Sequence, residues 1–205
     1  MSQKPPFTMI RELHLADFFT LANAGCGVAA VFCALIYVDR DATSYFYVAV
    51  VLLFAALVFD VLDGRIARWR QKHSVLGREL DSLSDVISFG VAPAVLAFAG
   101  GMRGGWDWAV LIYFVCCGVG RLARFNVTAE ALSEGRDKVA YFEGTPIPTS
   151  VVLVAILASA ASQDRLGEAL YWGAWTIGPA VLHPLALLFL LSGTLMISRL
   201  RIPKV

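Results

Sequence analysis

Four aspartates set in apolar sequence carry the chemistry open to this chain. They lie in the string Asp60-Val61-Leu62-Asp63-Gly64-Arg65-Ile66-Ala67-Arg68, followed after eight residues by Gly77 and then by Asp81 and Asp85. Asp60 and Asp63 are three residues apart and Asp81 and Asp85 four apart, so each pair shares one face of a helix. A turn at about residues 69–77, with Gly77 as its helix breaker, makes the two helices antiparallel neighbours and brings both pairs to one depth. Carboxylates so placed repel one another unless cations neutralise them. An aspartate inside a membrane span also costs on the order of 3 kcal/mol on insertion scales. Divalent cations that prefer hard oxygen ligands, Mg2+, Mn2+ or Ca2+, offset both costs, and the lack of His or Cys in the cluster argues against zinc. The competing reading is a set of interfacial salt bridges to Arg65, Arg68, Arg70, Lys72 and Arg78, which suits a single Asp–Arg pair better than four acids at this spacing. Gly64 and Ala67 leave room on the acid face, either for a ligand to reach the backbone or for a close helix–helix contact.

The elements that must hold these acids are membrane helices. Of the residues, 58% are hydrophobic and 16% charged, against about a quarter charged in soluble domains. Charge-free blocks cover residues 18–38, 42–59, 86–102, 108–120, 144–163 and 169–198. A bilayer core takes about 20 apolar helical residues, so the pattern predicts an all-α integral membrane fold with six transmembrane helices in one domain, residues 1–205. The first block is too long for a secretory signal and has no cleavage site after it. Pro179 and Pro184 are expected to kink or interrupt the last block. Residues 1–17 form a short interfacial helix or an unstructured lead-in. The loop at about 127–146 is the one candidate for a lid.

Lys and Arg set the orientation. With a cytoplasmic N-terminus and six spans, fourteen basic residues fall on the cytoplasmic side and Arg40, Arg103 and Arg165 on the other, which accounts for all 17. Both termini, and the aspartates with them, are therefore expected to face the cytoplasm. Net charge is +1, which says little about partners; no nucleic-acid partner is expected. Cys26, Cys33, Cys116 and Cys117 lie in apolar blocks and read as small buried hydrophobes. His14, His73 and His183 fall in different segments and form no site; His183 is expected in the core. Trp106, Trp108, Tyr171, Trp172 and Trp175 read as an aromatic belt at the outer interface.

The aspartate string resembles the signature of the CDP-alcohol phosphatidyltransferase family, D-x2-D-G-x2-A-R-x8-G-x3-D-x3-D, with every position present. The six-span layout is similar to that family too. Three further segments look like those of its membrane-integral phosphatidylserine synthase branch. They are Ser88-Phe89-Gly90-Val91-Ala92-Pro93, Gly120-Arg121-Leu122-Ala123-Arg124-Phe125-Asn126, and Phe142-Glu143-Gly144-Thr145-Pro146-Ile147-Pro148.

The resemblance implies a phosphatidyl transfer from CDP-diacylglycerol to L-serine, with CMP as leaving group and two divalent cations per active site. It implies that Asp60, Asp63, Asp81 and Asp85 are metal ligands and that Asp85 also takes the proton of the attacking hydroxyl. It puts the CDP-lipid headgroup at Asp63, Gly64, Ala67, Arg68 and Gly77, with Asn23 and Thr20 of the first span as further candidates. For those two an interhelical hydrogen bond is the equal alternative. Arg121, Arg124 and Asn126 are the acceptor- or phosphate-binding candidates, since Arg pairs bidentately with carboxylate or phosphate; interfacial anchoring is the alternative. Glu143 is a looser candidate for the serine ammonium. A homodimer in the cell membrane, among its lipids, is implied as well. Inositol, glycerol phosphate or choline as acceptor stays open, and so does a cation or metabolite transporter. The absence of internal repeats and the position of the acids near one face weigh against the transporter.

Overall fold

The computed structural model describes residues 15–70, 75–133, 141–198 and 201–203. Seven α-helices carry it: α1 (Leu15–Arg40), α2 (Thr43–Arg70), α3 (Val75–Asp85), α4 (Ala92–Ala99), α5 (Gly105–Ser133), α6 (Val151–Ser162) and α7 (Ala186–Ile197). A π-helical segment, Val86–Val91, joins α3 to α4 without a break. Pro93 explains the wide turn: it has no N–H to give to the preceding turn, and a π-bulge absorbs the missing bond.

Among the described residues, four stretches are long and apolar enough to cross a bilayer: Ala16–Arg40, Thr43–Ile66, Leu76–Ala99 and Gly105–Val127. Ile147–Ser162 and Ala186–Ile197 are apolar but shorter. Phe32, Val51, Ile112 and Leu191 each expose more than half of their surface. Apolar faces of this extent suit lipid rather than water, and the chain is a multi-pass helical membrane protein. The final apolar block is divided, as its prolines suggest. Pro179 sits in the turn of a β-hairpin made by β2 (Trp175–Ile177) and β3 (Ala180–Leu182), and Pro184 lies just before α7. A second strand pair, β1 (Tyr141–Glu143) with β4 (Arg201–Pro203), is antiparallel.

Helices α1 and α2 are antiparallel. Thr20, near the start of α1, meets Asp63, near the end of α2. At their other end Tyr37 stands edge-on to Phe46, ring centroids 5.2 Å apart. The core runs through Phe46, Leu53, Phe89, Leu96, Phe114, Leu157 and Phe189, all fully buried.

Two expectations need correcting here. Gly77 does not break a helix: it lies in the first turn of α3, where backbone N–H groups lack intrahelical partners anyway. The aspartate helices meet through their carboxylates rather than by close backbone packing. Helices α2 and α3 touch sparsely, and each packs closely on α1 instead. The cysteines are all free, but Cys116 is exposed on α5 rather than buried. An apolar helix in lipid can turn such residues outward without loss. The interfacial-helix reading covers residues 1–17, of which 1–14 lie outside the described residues and 15–17 belong to α1; residues 134–140 of the lid reading also lie outside.

Candidate active site

Helix α1 carries a buried polar stripe in its first half. Asp17, Thr20 and Asn23 repeat every three residues, and all three are buried. This stripe faces the acids of α2 and α3. The Thr20 hydroxyl donates to Asp63 Oδ2 at 2.8 Å. The Asn23 amide Nδ2 donates to Asp85 Oδ1 at 3.4 Å. Ser88, in the π-helical turn after Asp85, donates its hydroxyl to the Asn23 carbonyl at 2.9 Å. Gly27, one turn beyond Asn23, lets that turn come close: a Cβ there would stand 2.5 Å from Ser88 Oγ and 2.9 Å from its Cα. Asp17 lies near enough to Asp63 to interact with it electrostatically.

The carboxylates converge as their spacing implies. One oxygen each from Asp60, Asp63 and Asp81 lie within 4.8 Å of one another. Asp85 adjoins Asp60. Asp63 and Asp85 expose only 5% and 6% of their surface, so little water screens their mutual repulsion. Three carboxylate oxygens at this separation, with no nitrogen or sulfur ligand among them, fit a hard divalent cation such as Mg2+, Mn2+ or Ca2+.

The other candidates divide. A Cβ on Gly64 would meet nothing within 4 Å, so this position beside Asp63 is open rather than filled by a neighbouring helix. Ala67 and Arg68 lie on the last turns of α2, their side chains outside the described residues, and Gly77 lies at the start of α3. Arg121, on α5, is partly buried and within electrostatic reach of Asp85, and its Nε has no hydrogen-bond partner among the described residues. Arg124 is exposed. Asn126 is engaged within the protein: Ser82 donates to its Oδ1 at 3.1 Å, and its Nδ2 donates to Glu79 at 3.2 Å. It thus ties α5 to α3. The Glu143 side chain lies outside the described residues.

Among the described residues, Asn23 Oδ1, Arg78 Nε, Thr145 Oγ1 and Ser150 Oγ are buried without a hydrogen-bond partner, which native interiors rarely tolerate unless a ligand or water completes them; of these, Thr145 and Ser150 were not singled out by the sequence as site residues. Thr145 sits in one of the segments that carry the resemblance, and Ser150 ends the 3-10 turn Ile147–Ser150 that follows, which packs on the π-helical segment. Asp107, at the opposite end of the helices, is fully buried. Its carboxylate accepts the Gly104 and His183 N–H groups, each at 2.8 Å, and lies 2.6 Å from His183 Nδ1. His183 is accordingly a core residue tying the β2–β3 hairpin to α5.

Residues 13–180 match the family model described as CDP-alcohol phosphatidyltransferase. The chain is 40% identical over 209 residues to a CDP-diacylglycerol–serine O-phosphatidyltransferase of Saccharomyces cerevisiae, covering 99% of this chain and 75% of that one. It is 38% identical over 150 residues to the protein of the same name from Helicobacter pylori, covering 72% of this chain and 58% of that one. An archaetidylserine synthase of Methanothermobacter thermautotrophicus is 35% identical over 146 residues, covering 70% of this chain and 57% of that one. The chain thus spans well under two thirds of the bacterial and archaeal relatives. The match to the family model takes in all four aspartates and the helices that hold them, and on that ground the chain belongs to the CDP-alcohol phosphatidyltransferase family.

Proposed function

We propose that this protein transfers the phosphatidyl group of CDP-diacylglycerol to L-serine, releasing phosphatidylserine and CMP. The observation that carries the reading is the convergence of Asp60, Asp63 and Asp81 within 4.8 Å, with Asp85 beside them, on a complete family motif. Serine as the acceptor rests on the names of the relatives.

Asp60, Asp63, Asp81 and Asp85 would hold the divalent cations, two per site, Mg2+ or Mn2+, with Ca2+ a fitting occupant. When bound, these cations neutralise the pyrophosphate and the charge that builds on its leaving oxygen. Asp85 accepts the proton of the serine hydroxyl, a weak nucleophile at neutral pH. The hydroxyl oxygen bonds to the phosphorus that carries diacylglycerol, the bond from that phosphorus to the CMP oxygen breaks, and CMP departs with the electron pair. The open face at Gly64, with Asp63, Ala67, Arg68 and Gly77, receives the CDP headgroup, and Asn23 borders it. Arg121, with an unpartnered Nε close to Asp85, suits the serine carboxylate or a lipid phosphate. Arg124 and Asn126 flank it, Asn126 as the tie that keeps α5 against α3.

The same reading has the chain as one membrane domain. Ile147–Ser162 and Ala186–Ile197 complete six crossings, with both termini and the acid end at the cytoplasmic face of the cell membrane, where water-soluble serine and CMP exchange. Pairing with a second copy rests on the family alone.

The test is an acceptor screen with purified protein, CDP-diacylglycerol and Mn2+ or Mg2+, with CMP release and lipid product as readouts. Phosphatidylserine formed with serine, and no lipid product with inositol, glycerol phosphate or choline, is the expected result. Product with inositol alone would end the serine assignment, and undiminished activity after full chelation would end the metal role.

A further inference from the structure

Helix α1 contributes nothing to the aspartate motif, yet it is the element on which both acid helices pack. Its polar stripe meets their carboxylates directly. The Thr20 hydroxyl has one proton and two acceptors in range, the Ala16 carbonyl at 3.2 Å and Asp63 Oδ2 at 2.8 Å. The shorter contact to the charged oxygen is the stronger one. Thr20 is 3% exposed and Asp63 5%, so water does not compete for this bond. The bond fixes one oxygen of Asp63 and, through the planar carboxylate, the direction of the other. Carboxylates that ligate metals are themselves held by such outer partners.

We infer that Thr20 is a positioning residue for the divalent-cation site: its hydroxyl orients the Asp63 carboxylate toward the cation shared with Asp60 and Asp81. Resting on the metal reading above, this assigns Thr20 a role apart from nucleotide contact. Helix α1 packs on both α2 and α3, and the Thr20 bond is its direct hold on the Asp63 carboxylate. A ligand set divided between two helices is kept in coordination range by such outer partners.

The experiment measures Mn2+ binding to the purified full chain by paramagnetic resonance of free Mn2+, without nucleotide or lipid substrate. Thr20→Val keeps the shape and removes the hydroxyl, and its Mn2+ affinity should fall about 10- to 100-fold. Thr20→Ser restores the hydroxyl and should bind within about threefold of the wild type. Tyr37→Leu loosens the same two helices at their far end, where Tyr37 meets Phe46, and should bind Mn2+ as the wild type does. Should Thr20→Val fail to fold, Thr20→Ala removes the same hydroxyl without added strain and decides the matter. Unchanged Mn2+ affinity in the hydroxyl-less variant overturns the inference, and so does a Ser variant as weak as Val, which would make the effect one of packing. A raised KM for CDP-diacylglycerol at unchanged Mn2+ affinity would place Thr20 on the nucleotide instead. A wild-type protein that binds no Mn2+ would defeat the metal reading itself, a separate result.

Discussion

Asn23 and Asp85 are joined across 62 positions of sequence by a hydrogen bond from Nδ2 to Oδ1 of 3.4 Å, with Asn23 fully buried. Helix α1 thereby holds Asp85, just as it holds Asp63 one turn away. A hydrogen bond to a charged group is worth about 1.5–3 kcal/mol. Asn23→Ala should therefore lower kcat for CMP release by roughly 10- to 100-fold. Asn23→Gln is expected to recover less than half of the loss, since the longer side chain misplaces the amide. Steady-state CMP release in detergent micelles, with thermal unfolding as the check on folding, measures this.

Asp85→Asn is nearly isosteric but accepts no proton. CMP release from CDP-diacylglycerol and serine should fall by about 100-fold or more, while the protein elutes as the wild type on size exclusion. An Asp85→Asn protein that keeps its rate would remove the general-base role.

Arg121 and Arg124 lie one turn apart, but only Arg121 is partly buried, near Asp85, with an unpartnered Nε. Arg121→Ala should raise KM for serine at least tenfold, with Arg121→Lys recovering part of it, because lysine keeps the charge and loses the bidentate fork. Arg124→Ala should change KM for serine by less than about threefold, as expected for an exposed charge. Serine saturation curves at fixed CDP-diacylglycerol separate the two.

Asp107 is far from the acid cluster and accepts two backbone N–H groups besides facing His183 Nδ1. Removing one partner of such a buried pair costs about 3–5 kcal/mol. Asp107→Ala should therefore lower the unfolding temperature by several degrees, whereas KM for serine in the fraction that folds should stay unchanged. Thermal unfolding read by tryptophan fluorescence applies, since Trp106 donates to the hairpin carbonyl of Ile177 at 2.9 Å.

Gln163 follows α6 at the end of the molecule away from the acids, and Val127 lies at the acid end of α5. In a cysteine-free background, Gln163→Cys should react with a membrane-impermeant maleimide in intact cells, and Val127→Cys only after permeabilisation. The reverse pattern would invert the orientation, and equal labelling of both would contradict a crossing by α6.

The acid motif was legible because it is local. Spacings of three and four residues place carboxylates on one helix face whatever the rest of the chain does, and charge-free blocks announce membrane helices through composition alone. The convergence of Asp60, Asp63 and Asp81 followed from these two facts and a short connection. Which surfaces of the helices meet was not legible. A helix that is apolar all round has no polar–apolar contrast to say which side faces protein and which faces lipid, so Cys116 was read as buried and the packing of both acid helices on α1 was not foreseen.

Sequence alone thus determined which carboxylates could hold a cation or accept a proton, and the family to which the chain belongs. Only the tertiary structure decided that α1 lies against both acid helices, that Thr20 and Asn23 grip Asp63 and Asp85, and that Asn126 is occupied by Ser82 and Glu79 while Arg121 is left open. Those bonds join residues 43 to 62 positions apart. They depend on how whole helices pack, through close approaches such as Gly27 on Ser88, and no spacing along one helix encodes that.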